Sequence, residues 1–117
     1  MSFKFEELKV WQKAIDLSYE IHKLTLTFPK EEIYILTSQI KRASDSISLN
    51  IAEGSTGQSD AEFGKFLGYA LRSAIEVISC LHIGKKRGLI ENDIFAKLYN
   101  ETESVVIMIQ ALRKSIK

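Results

Sequence analysis

The chain is poor in the residues that break or cross-link a fold, with one proline, six glycines and one cysteine among its 117 residues. A single cysteine forms no internal disulfide. The N-terminus has no charged lead, apolar core or small-residue cleavage site of a secretion signal, so the expected compartment is the reducing cytoplasm. Charge of one sign is also lacking. Sixteen basic residues against fifteen acidic ones leave a formal charge of +1, so no global field holds the chain to nucleic acid or to an anionic membrane, and any such binding must rest on a local patch. Charges interrupt every hydrophobic segment before it reaches the roughly 18 to 20 residues needed to cross a bilayer, and no membrane span is expected.

The usual chemistries lack their residues as well. Di-iron and related bundles need facing carboxylates with Glu-x-x-His pairs. This chain has only His22 and His82, and neither has a glutamate at that spacing. Cys80 has no CxxC partner and lies beside Val77 and Leu81, the setting of a small core or interface residue. No nucleophile elbow supports a Ser-His-Asp arrangement. Gly54-Ser55-Thr56-Gly57 lacks the lysine and the preceding strand of a phosphate loop, and reads as a helix-helix connection. The sequence therefore predicts no catalytic site, no metal and no cofactor.

What is abundant is helical periodicity, with 45% hydrophobic residues. Val10, Ala14, Leu17, Ile21, Leu24 and Phe28 alternate in steps of four and three, predicting a first helix over about 5–27. Pro29 marks the break. Ile33, Leu36, Ile40, Ala43, Ile47, Ile51 and Gly54 predict a second helix over about 30–53, ending at a glycine suited to a left-handed C-cap. Ser59 and Glu62 form a capping-box signature for a third helix over about 59–84. Its stripe of Phe63, Leu67, Ala70, Ala74, Val77 and Leu81 is joined by Phe66, Leu71, Ile75 and Ile78, so it must be covered on more than one side. A fourth stripe, Ile94, Leu98, Thr102, Val105, Ile109, Leu112 and Ile116, predicts a helix over about 91–116. Four such helices with short connections make one all-α domain, an antiparallel up-down-up-down four-helix bundle.

Three features exceed what a bundle needs. Gln39, Arg42, Ser46, Asn50 and Glu53 form a polar line on the second helix that cannot be core. Gly64 and Gly68 sit inside the third helix, each costing on the order of 1 kcal/mol relative to alanine, which points to a close contact either within the bundle or with another subunit. Lys85, Lys86 and Arg87 form a basic run that suits a helix C-terminus and equally suits phosphate backbone, with Lys30 in the neighbouring turn and with Arg42 and Arg72 as further contacts.

The segments FEELKVWQKA (5–14), FPKEE (28–32), LTSQIKRA (36–43) and NIAEG (50–54), followed by EFGKFLGYA, Ser73 with Glu76, and the GLI turn, resemble the bacterial four-helix-bundle proteins often encoded in intervening sequences of the 23S ribosomal RNA gene. The resemblance spans nearly the whole chain. It implies a four-helix bundle assembled as a ring-like homopentamer, without established enzymatic activity for most members. It also implies a link to the accessory proteins of diversity-generating retroelements, which are strongly basic and bind nucleic acid and a reverse transcriptase. This chain departs from the pattern in its near neutrality, in Ser46-Ile47-Ser48-Leu49 where relatives carry a proline, in Gly64 and Gly68 where larger residues are usual, and in Glu91 where a serine or aspartate cap is common. Two function classes follow. One is a non-enzymatic oligomeric scaffold or adaptor, with Gln39, Arg42, Asn50, Glu53, Gly64 and Gly68 as candidate assembly residues. The other is an RNA- or DNA-binding accessory protein using Lys85, Lys86, Arg87, Arg42 and Arg72.

Overall fold

The structure is a computed structural model and describes residues 2–116. Its long helices are α1 (Lys9–Thr25), α2 (Ser38–Ser55), α3 (Asp60–Lys86) and α4 (Asn92–Ser115). They form an antiparallel four-helix bundle measuring 43 × 22 × 22 Å. The stripes predicted from periodicity are its core: Leu17, Ile21, Ile40, Ile47, Ile51, Leu67, Val77, Leu81, Val105 and Ile109 are all fully buried. Thr102 shares that core because its hydroxyl donates to Leu98 O at 2.7 Å, satisfying the group within the helix. The α2–α3 contact is the most extensive and the α1–α4 contact the least.

The helix ends depart from expectation in three places. The first helix begins at Lys9, not near Phe5. Residues Lys4–Glu7 instead form a 3-10 turn, closed by Phe3 N–H donating to Glu6 Oε1 at 2.7 Å and by Phe5 set edge-on against Trp11. The second helix is not regular from Lys30. A 3-10 turn (Lys30–Glu32) passes into a π-helical turn (Ile33–Thr37) before α2 begins. That rewinding takes Ile33 out of the expected core stripe to 45% exposure and keeps only Leu36 buried in the turn.

The third departure is Gly54, which is not a left-handed C-cap. Among the described residues the only positive φ belongs to Gly88 (76°). Gly54 lies buried inside α2, where Phe63 and Phe66 of α3 press against its bare Cα. The α3 C-terminus carries the left-handed cap instead. Leu89 N–H donates to Gly84 O at 2.8 Å and Gly88 N–H to Lys85 O at 3.0 Å, a Schellman arrangement. At the other end of α3, Ser59 Oγ accepts from Glu62 N–H at 3.1 Å, as the capping signature predicts.

Candidate assembly surface

The polar line of α2 lies along its seam with α3, and part of it is used within the chain. Gln39 Nε2 donates to Glu76 Oε2 at 3.2 Å. One turn or two further on, Ser73 Oγ donates to Ser46 Oγ at 2.9 Å, and Asn50 Nδ2 donates to Ser46 O at 2.8 Å and Ser46 Oγ at 2.9 Å. The Gln39–Glu76 and Ser73–Ser46 bonds join α2 to α3 and fix their register, while Asn50 bonds back to Ser46 within α2. Arg42 and Glu53 stand on the same flank, exposed, and neither has a hydrogen-bond or ion-pair partner among the described residues. On the outer side of α2 and α3 several large apolar side chains face solvent: Ile35 at 55%, Leu49 at 65%, and Tyr69 and Ile83 at slightly over a third.

Helix α3 makes this surface unusually apolar. Between Phe66 and Ile83 it carries only two acidic, lysine or arginine residues, Arg72 and Glu76, so by length and composition it is the one described helix that would suffice to cross a bilayer, nearer to that limit than the sequence alone suggests. Only 33% of its most apolar stretch is buried in the bundle. Of the rest, Leu71 and Ile78 are partly covered within the bundle, while Ile75 is 54% exposed.

Gly64 and Gly68 face the C-terminal turns of α4. A methyl group at Gly68 would stand 3.0 Å from the Arg113 guanidinium, whereas at Gly64 the nearest atom, Ile116 Cδ1, is 4.0 Å away. Arg113 thus covers Gly68, and Gly64 opens a shallow groove of about 580 Å³ on the α3–α4 face, lined by Asp60, Ala61, Gly64, Lys65, Arg113 and Ile116.

The five cations named for nucleic acid do not converge. Arg87 pairs with Glu32 at 3.0 Å, and Lys85 Nζ sits 4.5 Å over the Phe95 ring. Lys86 is exposed beside them. Arg42 on α2 and Arg72 on α3 are exposed, and thirteen residues of α3, about 20 Å at 1.5 Å per residue, separate Arg72 from Lys85.

One cluster escaped the sequence reading. Asp45 on α2 accepts from Ser18 Oγ on α1, while His22 Nε2 lies 3.1 Å from Asp45 Oδ1. The histidine faces the carboxylate and not the serine, so this is not the serine-to-histidine order of an activated nucleophile, and the trio ties α1 to α2 as a polar clasp. Its signal was present as Ser18 and His22 four residues apart on one helical face. Cys80 is buried at 3% exposure. Burial, reinforced by the nearby Glu76 charge, pushes its thiol up to about 11, so it stays protonated at neutral pH. Among the described residues no three His, Cys, Asp or Glu side chains gather to hold a metal ion.

These features can be set beside known proteins. No curated protein matches the chain. A crystal structure of a protein of unknown function from the S23 ribosomal protein family of Bacteroides thetaiotaomicron is similar in fold, with a TM-score of 0.83 and 23% identity over 90% of this chain and 95% of that one. The family model for the 23S rRNA-intervening sequence protein matches residues 6–111. A bundle with this register, matched over nearly its full length, belongs to the 23S rRNA-intervening sequence protein family.

Proposed function

We propose that the chain is a non-enzymatic scaffold or adaptor that works as a homo-oligomer, in the five-membered ring that the family resemblance implies, and in the reducing cytoplasm. One observation supports this above the others. The outer side of α2 and α3 carries exposed Ile35, Leu49, Tyr69 and Ile83 together with the opposite charges Arg42 and Glu53, whose side chains have no partner among the described residues. Apolar side chains ringed by polar and charged groups are the anatomy of a protein-protein contact.

Nucleic-acid binding is the second reading, favoured by the exposed Lys86, Arg42 and Arg72. It differs in its salt response, because phosphate contacts release counterions and weaken steeply with salt. Light scattering at low and high salt, with and without a short structured RNA, separates the two. The scaffold reading expects a salt-stable mass near five subunits that RNA does not change. A monomer would sink it, and a mass increase with RNA at low salt only would put nucleic-acid binding first.

A further inference from the structure

We propose that the partner seated against the α2 ridge is the α3–α4 groove of the next copy. In this contact Leu49 packs at the end of the groove against the Arg113 side chain that covers Gly68, Glu53 meets Lys65 and Arg113, and Arg42 meets Glu103. The inference rests on the oligomeric reading above and names the two surfaces that reading leaves open.

The first argument is charge register. In an up-down-up-down bundle α2 and α4 run in the same direction. Along α2 the order is Arg42 then Glu53, eleven residues apart, about 16 Å; along α4 it is Glu103 then Arg113, ten residues apart, about 15 Å. The two helices therefore carry opposite charge sequences at matching spacing. All four residues are exposed, and none has an ion-pair partner among the described residues. Asp60 on the groove wall is the one like charge near Glu53, and it is outnumbered by Lys65 and Arg113.

The second argument is height. Rotation about an axis parallel to the bundle keeps every residue at its own level. Within one chain Gln39 pairs with Glu76, Ser46 with Ser73, and Gly54 packs on Phe63 and Phe66, so Leu49 lies level with Gly68, and Glu53 with Gly64 and Lys65. Gly68 and Gly64 in turn lie level with Arg113 and Ile116, and stepping back along α4 brings Glu103 within about a turn of Arg42. A neighbour related by such a rotation presents its groove at the height of the ridge.

The third argument is direction. In an idealised square bundle the α3–α4 face lies about 90° from the α2–α3 face and about 135° from the outer corner of α2. A ridge between these two directions fits closed rings from four copies, at about 90°, to eight, at about 135°, with five at about 108° inside that range.

The test is solution mass by light scattering on full-length variants whose folding is confirmed by circular dichroism. Glu53→Arg alone and Arg113→Glu alone should each raise the apparent dissociation constant on the order of tenfold or more, since each sets like charges face to face. The combined E53R/R113E chain should recover the wild-type mass. The combined R42E/E53R chain should not, because both its reversed charges then meet like charges on the neighbour. Recovery in R42E/E53R without recovery in E53R/R113E would overturn the proposal in favour of a two-fold α2–α2 contact. Unchanged mass in both single variants would overturn it outright while leaving the oligomer standing. A monomeric wild type would instead remove the oligomeric reading and this contact with it.

Discussion

At the scale of single residues the glycines separate by what surrounds them, and the sequence could not rank them. Gly54 reads as a helix stop, Gly64 and Gly68 as contact glycines, yet of these three Gly54 is the most tightly packed. A methyl there would sit 2.6 Å from Phe66 Cβ and 3.0 Å from Phe63 Cδ1. Phe66 Cβ is tied to the α3 backbone, so the two helices would have to part. Gly54→Ala should therefore lose about 1 to 3 kcal/mol of stability, the usual range for overpacking. Gly64→Ala meets nothing closer than 4.0 Å and relieves a glycine in a helix interior, so it should gain about 0.5 to 1 kcal/mol. Urea unfolding of the two variants below the assembly concentration checks both signs. Equal effects would mean that neither helix interface is as close as these distances state.

At the scale of elements, the long helices were legible because their apolar stripes repeat over several turns, as in Leu17-Ile21-Leu24 and Leu98-Val105-Ile109. The entry into α2 was not. A stripe beginning at Ile33 looks continuous, but the π-helical turn admits extra backbone and rotates Ile33, Tyr34 and Ile35 toward solvent, which no side-chain spacing announces. What holds that turn is Glu32, whose carboxylate accepts from Leu36 N–H and pairs with Arg87 from the end of α3. Thr37 Oγ1, in the same turn, is buried without a hydrogen-bond partner among the described residues. Glu32→Ala removes both the cap and the pair and should cost about 1 kcal/mol. Arg87→Ala removes only the pair, at a half-exposed side chain, and should cost about half of that or less. Thermal or urea unfolding orders the two variants; a larger loss for Arg87→Ala would show that the cap contributes nothing. The same pair explains why the basic run looked more available in sequence than in structure: a charge count registers Arg87 but not the glutamate 55 positions away that occupies it.

At the scale of the whole molecule the candidate assembly surface was half legible. The polar line Gln39, Arg42, Asn50 and Glu53 was visible as a non-core row, but only the fold divides it into residues joined to α3 and residues left free. The fold also ranks the seams. The α2–α3 contact is extensive and tied by the Gln39–Glu76 and Ser46–Ser73 hydrogen bonds, whereas the α1–α4 contact is the least extensive and is bridged at Glu20 by Lys97. Regions with fewer buried contacts open at lower free energy than the global fold. Native-state hydrogen exchange should therefore find the central amides of α2 and α3 exchanging last and those of α1 and α4 earlier. Acid should widen that gap. The hydrogen bond from Lys97, aided by the Lys23 charge and opposed by desolvation, holds the Glu20 carboxyl below its ordinary value. A carboxylate with a depressed folded pKa stabilises the fold above its unfolded value of about 4.3 and loses that contribution as pH falls through the lower folded value. The α1 and α4 amides should thus gain exchange rate, relative to α2 and α3, as pH drops below about 4, and Glu20→Gln should bring the same relative increase at neutral pH without further change on acidification. An α4 that exchanged as slowly as α3 at both pH values would mean that the α1–α4 seam is closed by contacts beyond the Glu20–Lys97 bridge.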